Sequence, residues 1–197
     1  MLNSFLQGLK PNWLRELQRN IRNHRWEETD EGLLIGSVGI RGDLDVFAPD
    51  GKGWIKERNL LTTEGKNHIL SVVLSSTAKI STWYVAPASA NTTYSATWTG
   101  ANFAANATEL TTDYSESTRV EYVEGTASGG AISNSASPAV FTSAAVSAVT
   151  IWGCGLASAS TKGATIGTLL AASKYTTART LAEAGDKLSV AWTITLT

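Results

Sequence analysis

The chain has 197 residues, 16 Lys or Arg against 17 Asp or Glu, and one cysteine, for a net charge of −1. That length holds one well-buried domain with an appendage, or two small domains. The near-zero charge gives no general basic field for nucleic acid, and a single cysteine excludes an internal disulfide framework. Asn3, Gln7 and Lys10 interrupt the apolar residues after Met1, so no secretory leader is expected. No apolar run reaches membrane-spanning length, and a soluble protein of a reducing compartment is expected.

Ser4, with Gln7 three residues on, forms a capping-box pattern, and Pro11 then breaks or restarts the helix. Asn12 caps a second helix predicted over 13–26. At 100° per residue Trp13, Leu14, Leu17, Ile21 and His24 share one face. Arg15, Arg19 and Arg22 lie opposite, with Arg25 at the margin. The apolar face is a docking surface. The basic face is either solvated or seated on an acidic partner or packaged nucleic acid. His24 has no second ligand spaced nearby, which favours a packed histidine over a metal ligand.

A strand follows over 33–47. Val38, Ile40, Gly42, Leu44 and Val46 alternate with Gly39, Arg41, Asp43, Asp45 and Phe47, the period of a half-buried strand. Arg41-Gly42-Asp43 spells a cell-adhesion tripeptide, but in a strand it is not held on a mobile tip. Ala48-Pro-Asp-Gly-Lys-Gly53 is a turn signal, and 54–61 reads as the return strand of a hairpin. Thr62 or Thr63 then caps a short helix with Ile69, Val72 and Val73 as its apolar stripe, weakened by Gly65.

Twenty of the 33 charged residues precede residue 71. Beyond it the chain is rich in Ala, Ser, Thr and Gly with β-branched and aromatic clusters, a composition suited to strands. Strands are predicted over 81–86, 118–123, 130–134, 138–142, 146–156, 164–171 and 187–196. In the last, Leu188, Val190, Trp192, Ile194 and Leu196 face one way. The expected fold is therefore mainly β: a β-sandwich or jelly-roll-like domain over 78–197, a β-hairpin plus short helix over 33–77, and a helical docking arm over 1–32. Trp192 and Trp152 are expected inside the sandwich. The stretch 87–113 has no clean period. Tyr94, Trp98 and Phe103 recur in it, as in a long loop shaped for a partner.

No catalytic, cofactor-binding or metal-binding motif is present: no phosphate loop, dinucleotide fingerprint, nucleophile elbow or zinc spacing. Gly125–Gly130 reads as a hairpin turn because a strand follows it. Cys154 lies in an apolar run, with only His24 and His68 as bases in the chain, and reads as a buried hydrophobe. Asp113, Glu116, Glu121 and Glu124 form an acidic cluster that reads as a solvated face rather than a glycosidase pair.

Read together, "GDLDVFAPDGKGWIKERNLLTTEGKNHIL", "STWYVAP", "DYSESTRVEY", "SNSASPAVFT", "STKGATIGTL" and "GDKLSVAWTITL" resemble segments that follow in that order in small structural proteins of tailed bacteriophages. The resemblance covers roughly 38–197. It implies a non-enzymatic virion component, a capsid decoration or cement protein or an anchor for a head fibre or tail fibre, assembled in the bacterial cytoplasm and needing no cofactor. Its implied partners are other virion proteins, such as the major capsid protein or neck and tail components, and further copies of itself. The alternative is a tail-fibre module that binds a receptor or a host-surface glycan through Tyr94, Trp98 and Phe103. Neither a membrane nor nucleic acid is an expected partner.

Overall fold

The computed structural model describes residues 39–196 and the backbone of two short strands before them. Those two, β1 (Trp26–Glu28) and β2 (Leu34–Gly36), pair antiparallel with Trp26 opposite Gly36. The expected arm helices, with Trp13, Leu14, Arg15, Leu17, Arg19, Ile21, Arg22 and His24, lie outside the described residues, except that the arm's end at Trp26–Glu28 is a strand rather than helix, paired with β2. Residues 40–197 form one compact unit.

That unit is mainly β, two five-stranded sheets packed around a shared core, and every strand pair described is antiparallel. The first sheet centres on β12 (Lys187–Leu196). On one side it carries β3 (Ile40–Phe47) and then β4 (Trp54–Arg58); on the other it carries β8 (Ala131–Ser133) and β9 (Ala139–Thr142). The second sheet runs β5 (Leu60–Leu61), β11 (Leu169–Leu181), β10 (Val149–Ala157), β6 (Tyr84–Ala88) and β7 (Val120–Glu121).

Alternation decides which side chains meet. In β12, Leu188, Val190 and Trp192 are fully buried; Val190 lies opposite Val46, and Trp192 opposite Leu44. Facing them from the second sheet are Val85, Leu156, Ala171 and Tyr175. The long expected strand 33–47 is two strands, β2 and β3. The return strand 54–61 is likewise divided: it stops at Asn59 and restarts as β5 in the opposite sheet. Chain 54–61 therefore belongs to both layers.

This corrects the expected boundary near residue 78. β3 and β4 are integral to the first sheet and β5 to the second, so 40–77 is part of the sandwich. Over 40–58 the charge has another cause. Arg41, Asp43, Asp45, Lys56 and Arg58 share the outer face of β3–β4, with Asp43 opposite Arg58 and Asp45 opposite Lys56. Charge marks a solvated sheet face, not a separate module.

Helix α1 (Thr63–Leu74) starts as expected. The Thr62 hydroxyl accepts a hydrogen bond from the Gly65 amide, the N-cap arrangement. Gly65 is the point of contact with β11: a Cβ there would lie 2.2 Å from the Leu170 carbonyl oxygen. The expected strands 118–123, 130–134, 138–142 and 146–156 appear as β7 to β10, shortened at one or both ends or shifted. The expected strand 164–171 is displaced: 164–168 is not strand, and β11 starts at Leu169 and runs to Leu181. Helix α2 (Phe103–Ala107) falls inside the aperiodic stretch.

Candidate functional site

The outer face of the second sheet is built from residues with little or no side chain. Register places Ala88 and Lys174 beside Gly153, and Ala86 and Ala172 beside Gly155. This leaves a shallow bed, and the segment after β6 fills it. Tyr94 lies over Gly153 and Phe103 over Gly155: a Cβ on these glycines would come within 2.6 Å of the Tyr94 hydroxyl and 2.7 Å of the Phe103 ring. Tyr94 stands 4.8 Å from Trp98 and 6.5 Å from Phe103 between ring centroids, the latter pair edge-on. Together with Ala107, Ala157 and Leu169 they form a second hydrophobic core outside the sandwich.

The candidate interface residues of this stretch are thereby corrected. Phe103 is 1% exposed and Tyr94 7%, so neither ring is open to a sugar or a protein. Trp98 alone is partly exposed. Burial holds the Tyr94 phenol well above its ordinary pKa, helped by Cys154 nearby. The local sequence carried no sign of this core, because the bed is made by residues of three other strands.

Glu116 accepts the Thr142 amide at 3.1 Å, whereas Glu121 and Glu124 are exposed. The carboxylate that matters structurally is Glu109. Arg119 donates to both its oxygens, Nε to Oε1 at 2.8 Å and Nη2 to Oε2 at 2.6 Å, and its Nη1 donates to the Ala159 carbonyl at 2.9 Å. Both side chains are 1% exposed. This fork clamps the aromatic segment to the 158–162 loop. Beside it, Lys162 stands 3.6 Å over the Tyr114 ring; desolvation lowers its pKa against the opposing pull of Glu116, Asp113 and Glu109.

A second buried pair staples the β3–β4 turn across β11. Arg179 Nη2 meets Asp50 Oδ1 at 3.0 Å and also donates to the Ala48 and Gly53 carbonyls. Cys154 is fully buried, which pushes its thiol up to about 12 against the Tyr175 hydroxyl beside it. His68 packs edge-on to Trp83, ring centroids 5.8 Å apart. Among the described residues no three His, Cys, Asp or Glu side chains gather into a metal set. The 125–130 glycines make a tight turn into β8, as expected.

Arg41-Gly42-Asp43 lies in β3, where β12 pairs with all three residues and β4 with Asp43. Arg41 donates to Asp43 through Nε at 2.9 Å, and Gly42 is buried on the opposite face. Trp152 corrects the other tryptophan expectation. A β-bulge between Ile151 and Gly153 lets Ile151 and Cys154 both face the core, so Trp152 turns outward under the Lys174 ammonium, 4.3 Å from its ring. Trp192 is fully buried, as expected.

Among the described residues one concavity of about 430 Å³ is lined by Arg58, Asn59, Leu60, Thr93, Tyr94, Ala172 and Lys174, and a further surface feature is apolar. Two adjoining concavities of about 210 and 250 Å³ share Lys79, Ile80, Trp83 and Leu170. They form one groove at the end of the sandwich where β12 finishes, between α1 and the inner-face residues Ile132 and Ile194. Val73 lines it, and Val73, Leu70, Leu74 and Leu196 are each more than half exposed. Among the described residues no helix is long and apolar enough to cross a membrane. No family model matches the chain, and no curated protein does.

Proposed function

We propose that this chain is a non-enzymatic structural component of a tailed-phage virion, a capsid decoration or cement protein or an anchor for a fibre. The observation that carries it is the ordered set of phage-like segments over 38–197. Their residues supply the joints of this fold: "GDLDVFAPDGKGWIKERNLL" is the β3–β4 hairpin and its crossing into β5, and "GDKLSVAWTITL" is the central strand of the first sheet. Physical features support a static role. The buried ion pairs hold loops onto sheets, and Cys154 is sealed. The glycan-stacking alternative loses two of its three rings, Tyr94 and Phe103, to the second core. The test is fractionation of purified particles with absolute quantification of the chain. Hundreds of copies per particle fit a shell component, a handful fits a fibre, and absence from particles refutes the proposal.

A further inference from the structure

The concavity of about 430 Å³ lies where the chain crosses from β4 to β5. Leu60 pairs with Ala172, and the Arg58 carbonyl accepts from Ser173 Oγ at 3.0 Å, so the crossing runs alongside β11. Lys174, two residues beyond Ala172, shares its face of the sheet. Tyr94 closes another side, its hydroxyl over Gly153, the residue paired with Lys174. The size falls within the range of small-molecule sites.

Its chemistry is one-sided. Arg58 and Lys174 both line it, and among the described residues no carboxylate does. Neither cation enters an ion pair with another described residue. Asp43, opposite Arg58 in the ladder, is held by Arg41 instead. Glu57, the carboxylate next in the chain, is buried and accepts from the Thr176 amide at 2.8 Å and its hydroxyl at 2.7 Å. Lys174 donates to the Tyr175 carbonyl at 3.2 Å, which leaves further N–H groups to give. Two more residues of the wall end in buried atoms with no hydrogen-bond partner: Asn59 at Nδ2, and Tyr94, 7% exposed, at its hydroxyl. Buried polar groups are nearly always paired, and each exception needs a cause. Ammonium, guanidinium and amide N–H groups can only donate, and a phenol can donate as well. Such a set complements a group that only accepts.

We infer that this concavity binds the oxyanion of a small acidic molecule, a carboxylate, phosphate or sulfate. Lys174 and Arg58 supply the charge, and Asn59 and Tyr94 supply neutral donors that orient the group. The site stands apart from the virion reading and does not depend on it.

The experiment is isothermal titration of the purified full chain at low salt with glucuronate, a hexose phosphate, inorganic phosphate and neutral glucose. The anions are expected to bind in the millimolar range or tighter, and glucose is not. Acidic sugars that bind more tightly than inorganic phosphate assign the oxyanion to an organic frame; equal binding assigns the site to the free anion. Lys174→Gln and Arg58→Gln are each expected to weaken binding about tenfold. Tyr94→Phe keeps the ring over Gly153 and is expected to weaken it about threefold, with the thermal melt unchanged. Lys56→Gln, on the outer face of the first sheet, is the control and should bind as the native chain does. The inference is overturned if none of the three anions binds at about 10 mM, if glucose binds as well as they do, or if the Lys174 and Arg58 variants bind normally. It is overturned too if Lys56→Gln weakens binding as much as Lys174→Gln, the mark of a general attraction to charge.

Discussion

Replacing Phe103 by alanine removes the ring that fills the bed over Gly155. Phe103 is 1% exposed, and its ring meets Trp98 edge-on with centroids 6.3 Å apart. Burying an aromatic side chain hides about 150 Å² or more. At about 25 cal/mol per Å² that is about 4 kcal/mol. Lost ring–ring contacts add about 1 kcal/mol. Partial collapse of the segment onto the glycines returns some of it, so a net loss of about 3–5 kcal/mol is expected. In a chain of this size about 4 kcal/mol lowers the melting temperature by roughly 10 °C. Trp98, open on one side, is expected to lose about 1–2 kcal/mol on truncation to alanine, the ordinary range for a half-buried side chain. The assay is urea denaturation followed by far-ultraviolet circular dichroism, which does not depend on the tryptophan removed. Phe103→Ala should lower the midpoint with little change in slope. Phe103→Ala at native stability would refute the second core, and with it the argument that Ala86, Ala88, Gly153, Gly155 and Ala172 are small because rings lie on them.

Trp192→Ala is expected to cost about 3–5 kcal/mol, whereas Trp152→Ala, outside the sandwich beneath Lys174, should cost about 1 kcal/mol; paired thermal melts decide. Glu109→Ala strands the Arg119 guanidinium in the interior and should destabilise by about 3–5 kcal/mol, with exposed Glu121→Ala as the neutral control in the same denaturation series. Cys154 should resist thiol reagents at neutral pH, reacting at the rate of unfolding, as read by a chromogenic disulfide titration with and without urea. Its folded pKa lies above the unfolded value. The unfolded chain therefore loses this proton first, and stability should fall as pH rises from about 8.5 toward 12; a melting temperature flat across that range counts against the buried thiol.

The elements legible in the sequence are those whose environment is set by one face. β12 was predicted over its full observed range because Leu188, Val190 and Trp192 point into the sandwich while Ser189 and Thr193 point out. The hairpin turn and the cap of α1 were legible because Pro, Gly and Thr act on their own backbone. The expected strand 164–171 meets β11 only at 169–171, for the opposite reason. The second half of β11, "SKYTTART", reads as polar, but Tyr175 and Arg179 face inward, and the charge that accommodates Arg179 is Asp50, far away in the chain. The aromatic segment failed similarly: Tyr94 and Phe103 show no period because they are buried singly, over gaps left by glycines in another strand. Of the candidate interface residues, the sequence located the aromatics but not which side of them faces water. It gave no hint of the groove, whose walls come from α1 and from strands of both sheets.

One consequence of the topology is mechanical. Ile40 and Leu196 are direct partners at the same end of two adjacent antiparallel strands, while the 143–148 loop and the turn into β12 sit at the other end. Tension applied between Ile40 and Leu196 opens the β3–β12 ladder one rung at a time, from the end inward. Tension applied between Ile40 and the 143–148 loop instead pulls along the strands and loads their hydrogen bonds together. Cargo fused at the loop would therefore hold against drag that would peel the same cargo, and part of the sheet with it, from the end of β12.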